Sequence, residues 1–408
     1  MKIVCIPLEF KNFFNRFRDL FSLRQFHYFS FYVYALIVLE PEQKSVVGIS
    51  QAYVEPLCRS SLERLLCEVR WEFDKVIQRA RRQIIRVLSQ KRKGKRRIRL
   101  VVDDTTLQKY GEQIFGAGWY KKNRALLPFL GIQVVIVGIL EDGWLIPLDF
   151  HIYVREKDCG NIRLRFETKL CQAAKMLRNL KIPREFRVEV MFDTWYLNEQ
   201  VTGVIKSRGW TWISRCAKNR SVLWEGEKRR QNLQKYVPAV KWESVRYETD
   251  RKNRAVVGHQ RIGHLNGIGR IKIVISSFLP DGSDRLAYFC TNDTRLPMVT
   301  VINRFGTRWK VEVFFKEARK CFAFGRWQYR DVASVVHHLC LTLVAAIACA
   351  YMRSRESKEG KGDSSESWGA FIRRLRKRNQ RRFLKYFLEK EKSNEYNNID
   401  ELCDNLGI

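Results

Sequence analysis

Residues 98–104 read IRLVVDD, a short β-branched run ending in two acids, and such a run predicts a strand with chemistry at its far end. Working outward, residues 131–140 (GIQVVIVGIL) and 143–153 (GWLIPLDFHIY), joined by Glu141-Asp142, predict an antiparallel hairpin. Residues 163–180 put Leu164, Phe166, Leu170, Ala173, Ala174 and Leu177 on one side of an amphipathic helix. Residues 187–193 (RVEVMFD) form another strand ending in acid, 195–208 a helix, and 209–216 (GWTWISRC) a further strand. Three antiparallel strands followed by alternating helix and strand predict a mixed α/β sheet covered by helices.

That order is the ribonuclease-H-like one, expected over residues 96–216 and 291–353. Between them, 217–290 reads as a β-rich insertion: runs 240–247, 255–262, 269–278 and 285–290 are strand-like, with turns at Asn266-Gly267 and Pro280-Asp281-Gly282. Residues 1–95 read as a helical N-terminal DNA-binding domain, with a Ser60/Glu63 capping box opening a long amphipathic run to about residue 90; a plain helical bundle is the alternative. The run 91–99, KRKGKRRIR, is a basic connector that suits a phosphate backbone. Residues 354–408 read as a polar linker and a basic C-terminal helical tail, with Trp368, Phe371, Ile372 and Leu375 as an apolar patch for a partner, DNA or the chain itself.

The chain has 408 residues, 45% of them hydrophobic, which suits a folded protein with a large core. With 76 Lys+Arg against 43 Asp+Glu the net charge is +33, and nucleic acid is the first choice of partner. The basic residues are spread along the chain rather than set beside a hydrophobic anchor, so no membrane association is expected. The 11 cysteines are widely spaced and include no Cys-x-x-Cys pair, which argues against disulfides and zinc and for a reducing, cytoplasmic compartment. Charges at Glu9, Lys11, Arg16, Arg18 and Asp19 interrupt any signal-peptide core. Residues 335–352 are apolar enough to mimic a membrane span, but carry His337 and His338 and read as a buried core helix.

The stretch 305–319, FGTRWKVEVFFKEAR, read as one helix, sets Phe305, Arg308, Glu312 and Arg319 in one arc beside an apolar arc of Val311, Phe314, Phe315 and Ala318. Asp104 and Asp193 end strands that adjoin in the expected sheet, where neighbours lie about 4.8 Å apart. Two carboxylates that close resist joint ionisation unless a cation neutralises them, and Mg²⁺ or Mn²⁺ suits oxygen ligands. Glu312, arriving on a packed helix, would complete a cage for two ions about 3.5–4 Å apart, one activating the attacking water or 3′-hydroxyl and one stabilising the leaving oxygen of a phosphodiester.

VVDDTT, MFDTWYLN and F-x₂-R-x₃-E-x₆-R resemble, in order, the three active-site blocks of bacterial DDE insertion-sequence transposases with the Tyr-Arg-Glu-Lys signature. The resemblance spans roughly residues 60–350 and implies Asp104 as first acid (Asp103 the alternate), Asp193 as second and Glu312 as third. It implies DNA contacts at Arg308, Arg319, Lys316, Phe305 and Arg220, and base stacking from the insertion, with Trp224, Trp242 and Tyr247 the candidates. Phe305 stands where the family has Tyr, losing a hydroxyl, and Arg319 where it has Lys, keeping charge but changing geometry. The implied function is cut-and-paste excision at terminal inverted repeats and joining of the freed 3′-hydroxyl to target DNA, by a homodimer on paired ends. A structure-specific nuclease of the same fold, and a catalytically impaired, transposase-derived DNA-binding protein, are the alternatives.

Overall fold

In a computed structural model of the chain, described for residues 2–68, 71–90, 97–121, 127–160, 164–237, 242–248, 253–277, 286–360, 363 and 365–392, the acids fall on a single large sheet. The basic run 91–96, the turn at 280–282 and the tail beyond Lys392 lie outside the described residues.

The N-terminal region is helical: α1 (Leu8–Phe14), α2 (Leu23–Val38), α3 (Val46–Gln51), α4 (Arg59–Cys67) and α5 (Phe73–Gln90). Ser22 and Gln25 cap α2 reciprocally, each side chain meeting the other's backbone N–H. The Ser60/Glu63 box does not form. Helix α4 begins two residues earlier than that box requires, at Arg59 with Cys58 as its N-cap, and Glu63 pairs instead with Arg59 at 2.8 Å. The expected long run is two helices, α4 and α5.

Strands β1 (Arg97–Gln108), β2 (Ala117–Tyr120), β3 (Phe129–Glu141) and β4 (Trp144–Tyr153) follow. Asp142 and Gly143, both at positive φ (45° and 76°), turn the chain between β3 and β4, as a two-residue hairpin requires. Then come α6 (Glu156–Cys159), α7 (Lys169–Asn179), β5 (Arg187–Phe192), α8 (Glu199–Ser207) and β6 (Thr211–Arg215). Helix α7 starts later than the periodicity suggests: Thr168 caps it, and Leu164, outside it, is exposed. Helix α8 is shorter too, because Asp193 opens a 3₁₀ turn (Thr194–Tyr196) and Asn198 caps the helix proper.

Strand β1 pairs antiparallel with β3, which pairs antiparallel with β4, while β5 and β6 run parallel to β1 in sequence. The spatial order β4-β3-β1-β5-β6 is the ribonuclease-H-like one, so the mixed α/β class read from the sequence is the one adopted. Strands β7 (Ser221–Trp224), β8 (Arg230–Asn232), β9 (Glu243–Glu248), β10 (Asn253–Leu265), β11 (Gly269–Ser277) and β12 (Ala287–Thr291), with the short α9 (Leu233–Tyr236), make the β-rich region. They do not form a separate sheet: β12 pairs with β6 and β11, and β10 joins β11, β9 and β7.

The chain returns to the core through α10 (Met298–Gly306), a 3₁₀ turn (Thr307–Trp309), α11 (Lys310–Cys321) and α12 (Val332–Lys358). Helix α12 is long and apolar enough to cross a membrane by length and composition. It lies instead inside the protein: Asp331 caps it, and α2, α4, α5 and β4 pack around it. His337 stacks on Trp71 with ring centroids 4.1 Å apart, and His338 meets the Tyr32 hydroxyl at 3.0 Å, both as buried core residues. The polar segment read as a linker from residue 354 continues α12 to Lys358, where Arg355 and Glu359 pair at 3.8 Å. The basic α13 (Trp368–Lys392) is docked on its own chain, Trp368 stacking on Trp144 of β4 with centroids 3.7 Å apart.

Candidate active site

Asp103 and Asp104 are consecutive in β1, so their side chains leave opposite faces of the sheet. The parallel register pairs Val101 with Met191. Continued two residues, it sets Asp103 beside Asp193, which follows the last residue of β5 and points to the same face. On that face lie α10, α11 and the 3₁₀ turn between them. Arg308 of the turn donates to Asp103 Oδ2 at 2.5 Å and pairs with Glu312 at 3.6 Å. Farther along β1, Arg319 donates to the Thr105 hydroxyl at 2.6 Å.

Asp104 faces the other way. It accepts from Tyr196 Oη (2.8 Å), Lys169 Nζ (3.2 Å) and Gln133 Nε2 (2.6 Å). The first acid inferred from the motif, Asp104, therefore makes its contacts on the α7 side of the sheet, and its alternate Asp103 is the carboxylate that meets Arg308; Asp193 acts on Asp103 and is itself acted on by Asp104. Strand alternation is the reason, and the Asp-Asp pair hides it in the sequence.

Electrostatics set the two aspartates of this face apart. Burial pushes the Asp103 carboxyl up to about 7; Arg308 opposes the shift, and Asp193 and Asp104 add to it. Burial also raises Asp193, against the pull of the Trp195 backbone N–H and of Arg308, and the Asp104 charge adds to the rise. Glu312 is raised by burial and drawn down by Arg308. Arg308 is mostly buried, and its Nε has no partner.

Among the described residues no three His, Cys, Asp or Glu side chains are gathered tightly enough to hold a metal ion. Arg308 stands between Asp103 and Glu312, one terminal nitrogen toward each carboxylate. Asp103 and Asp193 nonetheless fit a divalent ion. They are hard oxygen donors, each held back from ionisation by burial and by a neighbouring carboxylate, Asp103 by Asp193 and Asp193 by Asp104.

The remaining sequence candidates scatter. Phe305 is buried against Phe289 (5.2 Å between centroids), with Arg308 over its ring at 5.5 Å, so its missing hydroxyl is not on an exposed face. The helix read across 305–319 is broken at Thr307–Trp309, which removes Phe305 from the face that carries Glu312. Trp224 is 1% exposed and packs on Tyr236, so it is a core residue and not a stacking platform. Trp242 is partly buried against the core. Arg220 donates to the Leu197 carbonyl at 3.0 Å, and Lys316 is exposed on α11. Tyr247 lies in β9.

Sequence reasoning missed Glu189, 1% exposed on the same face as Asp103 and paired with Arg304 at 2.7 Å. Its signal was a lone acid inside the apolar run of β5. Lys169 and Tyr196 were missed too, although Tyr196 follows Asp193 by three residues. Trp195 and Trp309, next to the acids in sequence, are 64% and 61% exposed.

Comparison with known proteins gives two family matches. Residues 16–255 match the family described as DDE superfamily endonuclease, and residues 170–348 the family described as Transposase DDE domain. No curated protein matches. Among solved structures, the chain is similar to a cryo-EM structure of piggyBac transposase synaptic complex with hairpin DNA. The identity is 11%, over 98% of this chain and 80% of that one, with a TM-score of 0.47.

Proposed function

The chain belongs to the DDE superfamily of endonucleases, is a DNA-cleaving enzyme of the transposase type, and from that premise we propose that it carries out cut-and-paste transposition. The substrates are the duplex ends of a mobile element, bearing terminal inverted repeats, and a target duplex into which the freed 3′-hydroxyl is joined. A homodimer on paired ends is the working assembly. The observation that carries this reading is Arg308, whose two nitrogens reach Asp103 and Glu312 beside Asp193.

Enzymes of this superfamily generally use divalent metal ions. Here Asp103, Asp193 and Glu312 would hold two of them, Mg²⁺ or Mn²⁺, which supply charge neutralisation at the scissile phosphate and a more acidic nucleophilic water or hydroxyl. Arg308 is the exchangeable partner. It occupies the carboxylates in the free protein and turns to a phosphate oxygen when DNA arrives, as a guanidinium fork can do for either anion. Arg319, exposed and next to Thr105, is a second phosphate contact. Asp104, gripped by Lys169, Tyr196 and Gln133, is a positioning residue that holds β1 beside α7 and the Asp193 turn.

The test is one reaction with three readable outcomes. Purified protein is incubated with Mg²⁺, a paired-end substrate and a target duplex. Joined products are expected. Cuts without joining would leave a nuclease, and binding without cuts an impaired DNA-binding protein; either result overturns the proposal.

A further inference from the structure

The parallel strands of the core have two ends, and only one carries the acids. At the other, a cleft of about 690 Å³ opens between the starts of β1, β5 and β6, lined by Arg97, Arg184, Arg187, Arg208, Trp210 and Asp293 among others. Arg97 is the first residue of β1, six residues before Asp103, so the cleft lies about 20 Å behind the acids at about 3.3 Å per residue.

Its construction favours an extended anion. Arg208 is fixed in place: its guanidinium donates to the carbonyls of Leu177 (2.9 Å), Arg178 (2.7 Å) and Leu180 (2.7 Å) at the end of α7 and lies 4.1 Å over the Trp210 ring. Arg97 is tethered more loosely, 3.6 Å from Glu189. Arg184 and Arg187 are exposed and have no carboxylate partner among the described residues. Asp293 is the single carboxylate of the lining. Arg97 pairs with Arg187 across β1 and β5, and Thr211 of β6 is in register with Glu189, two residues farther along β5, so the lining spans three adjacent strands, about 10 Å at about 4.8 Å each. That width matches about three base-pair steps along a duplex axis at about 3.4 Å of rise each, more than one small anion would occupy.

We propose that this end of the core grips a second stretch of duplex DNA through its phosphates, separate from the stretch presented to Asp103 and Asp193. Arg184 and Arg187 are the exposed contacts, backed by Arg208 and Arg97. The proposal rests on the DNA-cleaving reading only in supposing a first duplex at the acids.

Full-length protein in EDTA is titrated with a fluorescent random-sequence duplex between about 50 and 200 mM salt. Each lost phosphate contact removes about 0.9 from the log–log slope, so Arg184→Gln/Arg187→Gln is expected to flatten it by about 2. Arg184→Lys/Arg187→Lys keeps the charge and is expected to keep the slope. Protein held on an immobilised duplex is expected to retain a second labelled duplex, and the Gln variant to release it. An unchanged slope in the Gln variant, a flattened slope in the Lys variant, or undiminished capture of the second duplex by the Gln variant overturns the proposal. Asp193→Asn separates this from the catalytic reading: it is expected to lose cleavage and keep the wild-type slope.

Discussion

Asp103 and Asp104 are adjacent in the chain and serve opposite faces of β1. The local motif treats them as interchangeable, but their surroundings do not. Asp103 shares Arg308 with Glu312 and lies two residues past the Val101–Met191 pair, as Asp193 does, whereas Asp104 is held among Lys169, Tyr196 and Gln133. Asp103→Asn is therefore expected to lower DNA cleavage by at least about a hundredfold with little change in melting temperature. Asp104→Asn is expected to cost about 1–3 kcal/mol of stability through its weakened hydrogen bonds while cleavage at low temperature survives. Parallel cleavage assays and thermal melts of the two variants check this. The reverse pattern would restore Asp104 as the first acid.

At the scale of elements, the delivery of Glu312 depends on how α11 is seated. Its C-terminal end is held from the N-terminal region: buried Lys44 donates to the Cys321 carbonyl, one of the acceptors left open at a helix end. Burial, with Arg376 adding, lowers the Lys44 pKa to about 7 from 10.5. The sign follows. Between pH 10.5 and 7 the unfolded chain binds a proton that the folded one does not, so stability falls as pH drops through that window and levels off below it. Lys44→Met lacks this dependence. The melting temperature of the wild type relative to the variant is expected to decline from about pH 10 to about pH 7, and a constant difference across that range would refute it. The break at Thr307–Trp309 belongs to the same scale. Helical periodicity placed Phe305 beside Glu312, but tertiary packing turned Phe305 inward onto Phe289 and left Arg308 over the acids.

Over the whole molecule, the sheet is continuous through the β-rich region and α12 runs buried between the N-terminal helices and β4. The C-terminal α13 closes this assembly through Trp368, which stacks on Trp144 and touches Phe314 of α11 with centroids 6.0 Å apart. Trp368→Ala is expected to cost about 3–5 kcal/mol, read as a lowered denaturation midpoint, with cleavage falling in step if α13 steadies α11. The mixed α/β order, the hairpin, the buried apolar helix with its two histidines and Asp193 at the end of β5 were all legible along the chain, because period-2 and helical patterning and turn residues act locally. Asp103 and Asp104, read as ending their strand, lie inside it, since β1 runs on to Gln108. Which aspartate faces Glu312, that Trp224 is core, that Glu189 lies beneath the acids and that four arginines converge behind them were not. Those facts depend on strand register and on which segments pack across a face, and contacts between residues far apart in sequence leave no periodic trace in either partner.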